Sequence, residues 1–413
     1  LFAHLHNHFF GSYSDSTLDF TPALKKARAD GQPAMAMTEH GEIPFFIQYL
    51  DTCRNFSLKP IVGVEIYFVE NASESILRKD SERFHLVLLA KNQKGLKNLF
   101  GLLSEAWIKN SYEEKRGLVD WGLLGQYADG LLALSGCFYN LVGQKFLREG
   151  EEAAELVLRR YLDIFGSDYY PEIGKHGIAD EDAVNDFWLR VAPKYNLKPV
   201  ASNDVHYLDA LDWIAHDIII KTRYDKVTNF KIDSQQYWLK TGTEMLRVYE
   251  ADWLKNTLAV VEKIESVEIS RLRSLAPQDI LAIYQPGKLE AMFADGRAAH
   301  PAKIIYIDEE TGRRHIQEVL QKYSYPEING LSDEEKNRWL LARLANIPRR
   351  SEPDTEKVVI SDQPLKEFIP LKRGLGKVMT QFSAQDCLAL GATVVPARPT
   401  ALQAELGRIF HRA

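Results

Sequence analysis

The chain has 413 residues, 45% of them hydrophobic and 26% charged, with a formal net charge of −6. That length exceeds what one ordinary core organises and predicts two or three domains. The composition excludes disordered and collagen-like classes, and no apolar run approaches the ~20 residues of a membrane span. Only Cys53, Cys137 and Cys387 occur, far apart, which argues against a disulfide framework. With no basic-then-apolar leader at the start, they point to a reducing, cytoplasmic setting. The charge is uneven, at roughly +3 over 271–413 and −9 over 1–270. An acidic domain that handles phosphates needs cations to offset its own charge.

Residues 4–8 read as a first strand carrying His4, His6 and His8. Alternate residues of a strand share a face, so His6 and His8 can aim two imidazoles at one point, with His4 beside them. Asp15 follows, and imidazole is the commonest protein metal ligand. Thr21-Pro22 is expected to open a helix over about 22–30. An apolar strand over 33–38 ends in Glu39-His40-Gly41. A helical stretch (43–55) leads to a strand over 59–67 that carries Glu65. A fourth strand, 84–90, bears His85, and a helix follows from about 94. A fifth, 131–136, ends in Cys137; a sixth covers 169–173; a seventh, 199–202, runs into Asp204 and His206. Short apolar strands separated by helices predict βα units in a parallel sheet. Seven in succession favour a closed barrel, whose chemistry collects at strand C-terminal ends.

Residues 209–268 read as mostly helical, with a short extended piece at 236–239, and a boundary is expected near 270–277. Beyond it, strands are predicted at 304–307, 357–360 and 377–381. Helices are predicted at 314–323, 332–345 and 401–411, the second opened by a Ser332/Glu335 capping box. The expected division is a metal-binding barrel over 1–208, a helical extension over 209–270, and a small α+β unit over 271–413.

Imidazoles, carboxylates and a thiol at one barrel mouth suit zinc, manganese or iron better than magnesium or calcium. Taken singly, His85 reads as a core histidine, Cys137 as a small buried hydrophobe, and Glu65 as a carboxylate paired with a lysine. Glu39 reads as a partner orienting His40 or as solvated. The joint pattern outweighs these readings. His176, His216, His300, His315 and His411 have no such support and read as ordinary. The basic turn Lys372–Lys377 and the pair Arg349-Arg350 read as solvated.

The sequence resembles the PHP (polymerase and histidinol phosphatase) domain found at the N-terminus of bacterial DNA polymerase III alpha subunits. The resemblance rests on Phe2 to His8 with Ser12 and Asp15, Ala36 to Gly41, Lys59 to Tyr67, His85 to Asn92, Leu134 to Cys137, and Ala201 to Tyr207. Ser16 stands where the family has glycine, and Glu39 where it has aspartate. The resemblance implies a distorted (β/α)7 barrel with a trinuclear divalent-metal site. The ligands it implies are His6, His8, Asp15, His40, Glu65, His85, Cys137, Asp204 and His206. In that family intact sets accompany metal-dependent phosphoesterase or 3′–5′ exonuclease activity, and depleted sets a structural role. The implied partners are DNA, single-stranded or at a primer 3′ end, and replication proteins. A structural scaffold and a small-molecule phosphatase are the competing readings. Residues 271–413 resemble the family's polymerase palm only faintly. Asp308 alone stands where paired aspartates are expected, and 391–396 lack the last carboxylate, so polymerase activity is not expected.

Overall fold

The computed structural model describes residues 1–397 apart from 80–81, 114, 225, 269–271, 273, 283–284 and 286. The helix expected at 401–411, and His411 with it, lies outside the described residues, as does the expected 270/271 border. Among the described residues no helix is long and apolar enough to cross a membrane.

The N-terminal half is built on nine strands: β1 (Ala34–Met37), β2 (Lys59–Phe68), β3 (Phe84–Ala90), β4 (Ser111–Tyr112), β5 (Arg116–Val119), β6 (Leu131–Leu134), β7 (Tyr169–Tyr170), β8 (Glu172–Ile173) and β9 (Val200–Ala201). Backbone pairing passes from His4 to Met35 on β1, then through β2, β3, β6 and β7. β8 pairs with β9, and Asn7 pairs with Val205, which returns the path to its start. Inward and outward faces are both apolar. Val87, Leu89, Leu132, Leu134, Ala36 and Ile61 pack together on one side, and Leu86, Leu88, Ala133, Met35 and Val62 join the larger core on the other. The helix Gln93–Lys109 covers the outer face, burying Leu96, Leu99, Phe100, Leu103, Ala106 and Trp107 at helical spacing. The Asn92 side chain caps it by accepting from Gly95 N.

Four expectations need correction. β3 runs antiparallel to both β2 and β6, so the sheet is mixed. Residues 4–8 contribute single bridges rather than a continuous strand, because Asn7 spends its side chain on the carbonyls of His4 and Ala36. The first helix, Phe20–Ala29, is capped by Asp19, whose carboxylate accepts from Thr21 N. Between the helices Trp213–Thr222 and Gly242–Leu246 the chain has no helix over 223–241 among the described residues.

A second sheet follows: β10 (Ala298–Tyr306), β11 (Pro348–Pro353), β12 (Lys357–Ile360), β13 (Leu371–Gly374), β14 (Lys377–Ser383) and β15 (Thr393–Pro396), in the order β13-β14-β10-β12-β15 with β11 also on β10. It packs against the first unit through β13 and β14. Lys372 Nζ lies 2.7 and 2.8 Å from the two carboxylate oxygens of Glu42. Ile43 N donates to Gln381 Oε1, and Leu371 N to Ser104 Oγ. Lys372 is therefore a buried ion-pair partner of the loop after His40, not a solvated turn residue. Ser332 and Glu335 form the expected capping box on Asp333–Leu344.

Candidate metal centre

Glu65 sits mid-strand on β2, flanked by apolar residues, and four imidazoles reach it. Its Oε1 lies 3.2 Å from His6 Nε2 and 3.1 Å from His85 Nδ1. Its Oε2 lies 2.8 Å from His40 Nδ1 and 3.5 Å from His8 Nε2. Asp204 Oδ1 lies 3.1 Å from His8 Nε2 and 3.4 Å from His6 Nε2. Asp15 Oδ2 lies 2.9 Å from His40 Nε2, while Arg223 holds its other oxygen at 2.9 Å. Cys137 Sγ is 3.2 Å from His85 Nδ1. The nine residues singled out in the sequence, joined by His216, fall into four groups: His8–His40–His206, His6–His8–Asp204 and Asp15–His206–His216, which share members, and Glu65–His85–Cys137, which stands apart. Each group brings its donor atoms within 4.8 Å of one another.

The tautomers follow from the partners. A carboxylate or a carbonyl can only accept, so His6 Nδ1–H donates to Glu172 Oε1 (3.0 Å) and His206 Nδ1–H to the carbonyl of Asp204 (2.7 Å). Ser12 gives its one hydroxyl proton to Glu39, so it accepts from His8 Nδ1–H at 3.1 Å. His6 and His8 then present Nε2 lone pairs to each other across 3.0 Å, beside two carboxylates. Both oxygens of Glu65, Asp204 Oδ1 and His40 Nδ1 are buried and make no aligned hydrogen bond. Unpartnered buried acceptors cost free energy unless a positive charge stands among them. A proton on His6 is one source and a cation is the other, so the donor set fits divalent metal.

The titration directions agree. Burial opposes charge on Glu65, but His85, His6 and His40 outweigh it and hold the carboxyl well below its usual range. Burial likewise opposes charge on Asp15, but Arg223 and His40 hold it down. Burial, with His40 and His206 alongside, pushes His8 down to about 3, so it is neutral, as a metal ligand must be. Burial, Glu65 and Asp204 push the Cys137 thiol up; a bound cation reverses that logic. Burial pushes Glu39 up to about 8, against the downward pull of the Ser12 hydroxyl and His40. Glu39 therefore positions Ser12 and His8 and is not solvated.

Sequence reasoning missed two residues. Glu172 orients His6 and also accepts from Gly136 N at 2.7 Å; a lone carboxylate on a buried apolar strand, as at Glu65, was the available signal. His216, read as ordinary, lies on the almost wholly buried helix Trp213–Thr222 and joins Asp15 and His206, neither ring nitrogen having a hydrogen-bond partner among the described residues. His4 stays outside the centre: burial pushes it down to about 4, and its Nε2–H donates to the carbonyl of Lys240. Glu172→Gln is expected to weaken metal binding about 10- to 100-fold, as loss of an orienting carboxylate does. Titration of the stripped chain with manganese, followed calorimetrically, measures it.

Residues 4–176 match the family model described as PHP domain, so the chain carries a PHP domain; Asp204 and His206 lie beyond the matched span. Its curated relatives are DNA polymerase III alpha subunits. The protein from Thermus aquaticus is 34% identical over 262 residues, covering 61% of this chain and 21% of that one. The one from Borreliella burgdorferi is 29% identical over 294 residues, covering 69% and 25%. The chain thus spans about a quarter or less of the length of these relatives. Among solved structures, a two-domain Bacteroides vulgatus protein containing a predicted PHP-like metal-dependent phosphoesterase is 15% identical over 50% of this chain and 52% of that one, with a TM-score of 0.30. A likeness that loose says nothing of activity.

Proposed function

We propose that the chain is a metal-dependent phosphoesterase acting on DNA as a 3′–5′ exonuclease. The observation that carries this is the pair of Nε2 lone pairs of His6 and His8 facing each other beside Glu65 and Asp204. His6, His8, Asp15, His40, Glu65, His85, Cys137, Asp204 and His206 would hold the metals, three in number by resemblance. The mixed nitrogen, oxygen and sulfur donors suit zinc, manganese or iron. Such ions, when bound, polarise a phosphoryl oxygen and supply a nucleophile at neutral pH. The chain's own part is orientation: Glu172 and Ser12 fix the imidazole tautomers, and Arg223 holds Asp15.

A cavity of about 670 Å³ opens over these residues and is lined by Tyr139, Phe230, Lys231 and Arg223 among others. Tyr139 and Phe230 are 43% and 56% exposed. Exposed rings with cations around a cleft suit bases and phosphates of a single strand better than a small phosphomonoester. We read the ring of pairings as the distorted seven-strand barrel of 1–208, and 209–270 as its extension. Residues 271–413 are read as a reduced palm-like unit without polymerase chemistry. Asp308 there caps a helix by accepting from Thr311 N at 2.7 Å, and no second aspartate adjoins it in sequence. Cytoplasmic replication proteins are the matching partners.

The test is degradation of 3′-labelled single-stranded and primed DNA by wild type and His8→Ala, with and without chelator. Activity is expected in wild type alone, lost on chelation and restored by manganese or zinc. Hydrolysis that survives both chelator and substitution would sink the proposal. A metal-binding protein that cleaves no DNA would move the reading to small phosphoesters or to a scaffold.

A further inference from the structure

Arg116 at the start of β5 and Arg83 just before β3 lie beside the candidate metal centre without joining it. The register sets their position: Tyr67 on β2 pairs with His85 on β3 and with Leu118 on β5, two residues from Arg116, and Arg116 pairs with Tyr112 on β4. The Arg116 guanidinium lies over the Tyr67 ring at 4.9 Å, and Arg83 over the Tyr112 ring at 4.5 Å. Tyr67 in turn stacks on His40, centroids 6.1 Å apart and planes 16° from parallel, and meets His85 edge-on at 5.8 Å. The order outward from the centre is therefore imidazole, tyrosine, guanidinium.

Three observations say this is a binding feature and not only packing. Both arginines and Tyr67 line the 670 Å³ cavity over the centre and also a second one, of about 410 Å³, which continues past Tyr13 and Trp107 to Arg349. Arg116 has no carboxylate within ion-pair distance among the described residues, although it is half-buried. A guanidinium laid on a ring keeps its fork of N–H donors in one plane, the arrangement that suits a bidentate grip on phosphate.

We propose that Arg83 and Arg116, each laid on a tyrosine, form a subsite for a backbone phosphate of the substrate strand other than the one at the metal centre. It rests on the phosphoesterase reading for its substrate and explains how a strand is held, but as a binding site it can be tested without hydrolysis. The second cavity carries the strand onward toward Arg349.

The experiment is fluorescence anisotropy of a 5′-labelled short oligothymidylate with the full chain in chelator, wild type beside R83Q/R116Q. The double variant is expected to bind about tenfold more weakly, with the slope of log affinity against log salt reduced by about 0.7 for each phosphate it no longer neutralises. A scan of neutral methylphosphonate linkages is expected to weaken wild type at one position where the double variant is indifferent. Unchanged melting temperature and manganese content show the variant folded. If it melts early, R83K/R116K keeps the charge, loses the fork, and is expected to lose affinity at an unchanged slope. Binding by R83Q/R116Q within twofold of wild type, or losses that add at every linkage, overturns the subsite. Cleavage by wild type without coupling leaves the phosphoesterase reading standing and the subsite fallen. Coupling in a chain that cleaves nothing does the reverse.

Discussion

Glu65→Gln is expected to remove at least one metal per chain and to lower hydrolysis by more than about 100-fold, beyond the 10- to 100-fold loss typical of groups that merely orient a ligand. Among the described residues Glu65 is the one side chain that touches His6, His8, His40 and His85 together. The amide has the same shape, so packing on β2 is kept while the charge goes. It also turns an N–H₂ toward imidazoles whose tautomers are already fixed by Glu172 and Ser12. An amide donor facing four nitrogens cannot satisfy them all. Elemental analysis of the dialysed protein and degradation of 3′-labelled DNA read the two effects separately. A full metal complement with activity within tenfold of wild type would make Glu65 a structural carboxylate and not a ligand.

The donor set was legible because its residue types are rare and their spacing is local: His6 and His8 two apart, and Asp204 and His206 two apart, at the ends of apolar segments. The resemblance added the long-range grouping that spacing alone cannot provide. What the sequence hid is mostly direction and distance. Phe84–Ala90 is buried on both faces, and such a run reads the same in either orientation, so its antiparallel pairing left no trace. The connection before it, with the helix Ala72–Arg78, is long enough for a crossover and argued for the wrong direction. Lys372 looked solvated because its partner Glu42 lies 330 positions away. His216 was overlooked because nothing near it in sequence is a ligand. It reaches Asp15 and His206 only through the packing of its helix.

Lys372→Met is expected to destabilise the chain by about 3–5 kcal/mol, the usual result of leaving one buried charge without its partner. The Lys372 and Glu42 side chains are only 7% and 10% exposed, and Trp107 and Tyr13 face the ammonium at 5.2 and 5.7 Å. Little water therefore reaches either member. Glu42→Gln with Lys372→Met removes both charges and is expected to recover most of the loss, since an apolar replacement for a buried pair is often nearly neutral. Urea unfolding of the four proteins gives the coupling directly. The consequence reaches the site, because Glu42 is two residues from His40 and Ile43 N is held by Gln381 of β14. The second sheet thus clamps the loop that delivers His40 to Glu65 and Asp15. Lys372→Met should accordingly lower metal content, and the double variant should restore it. Equal, small losses in single and double variants would mean that the pair carries no coupling and that the second sheet does not support the centre through this contact.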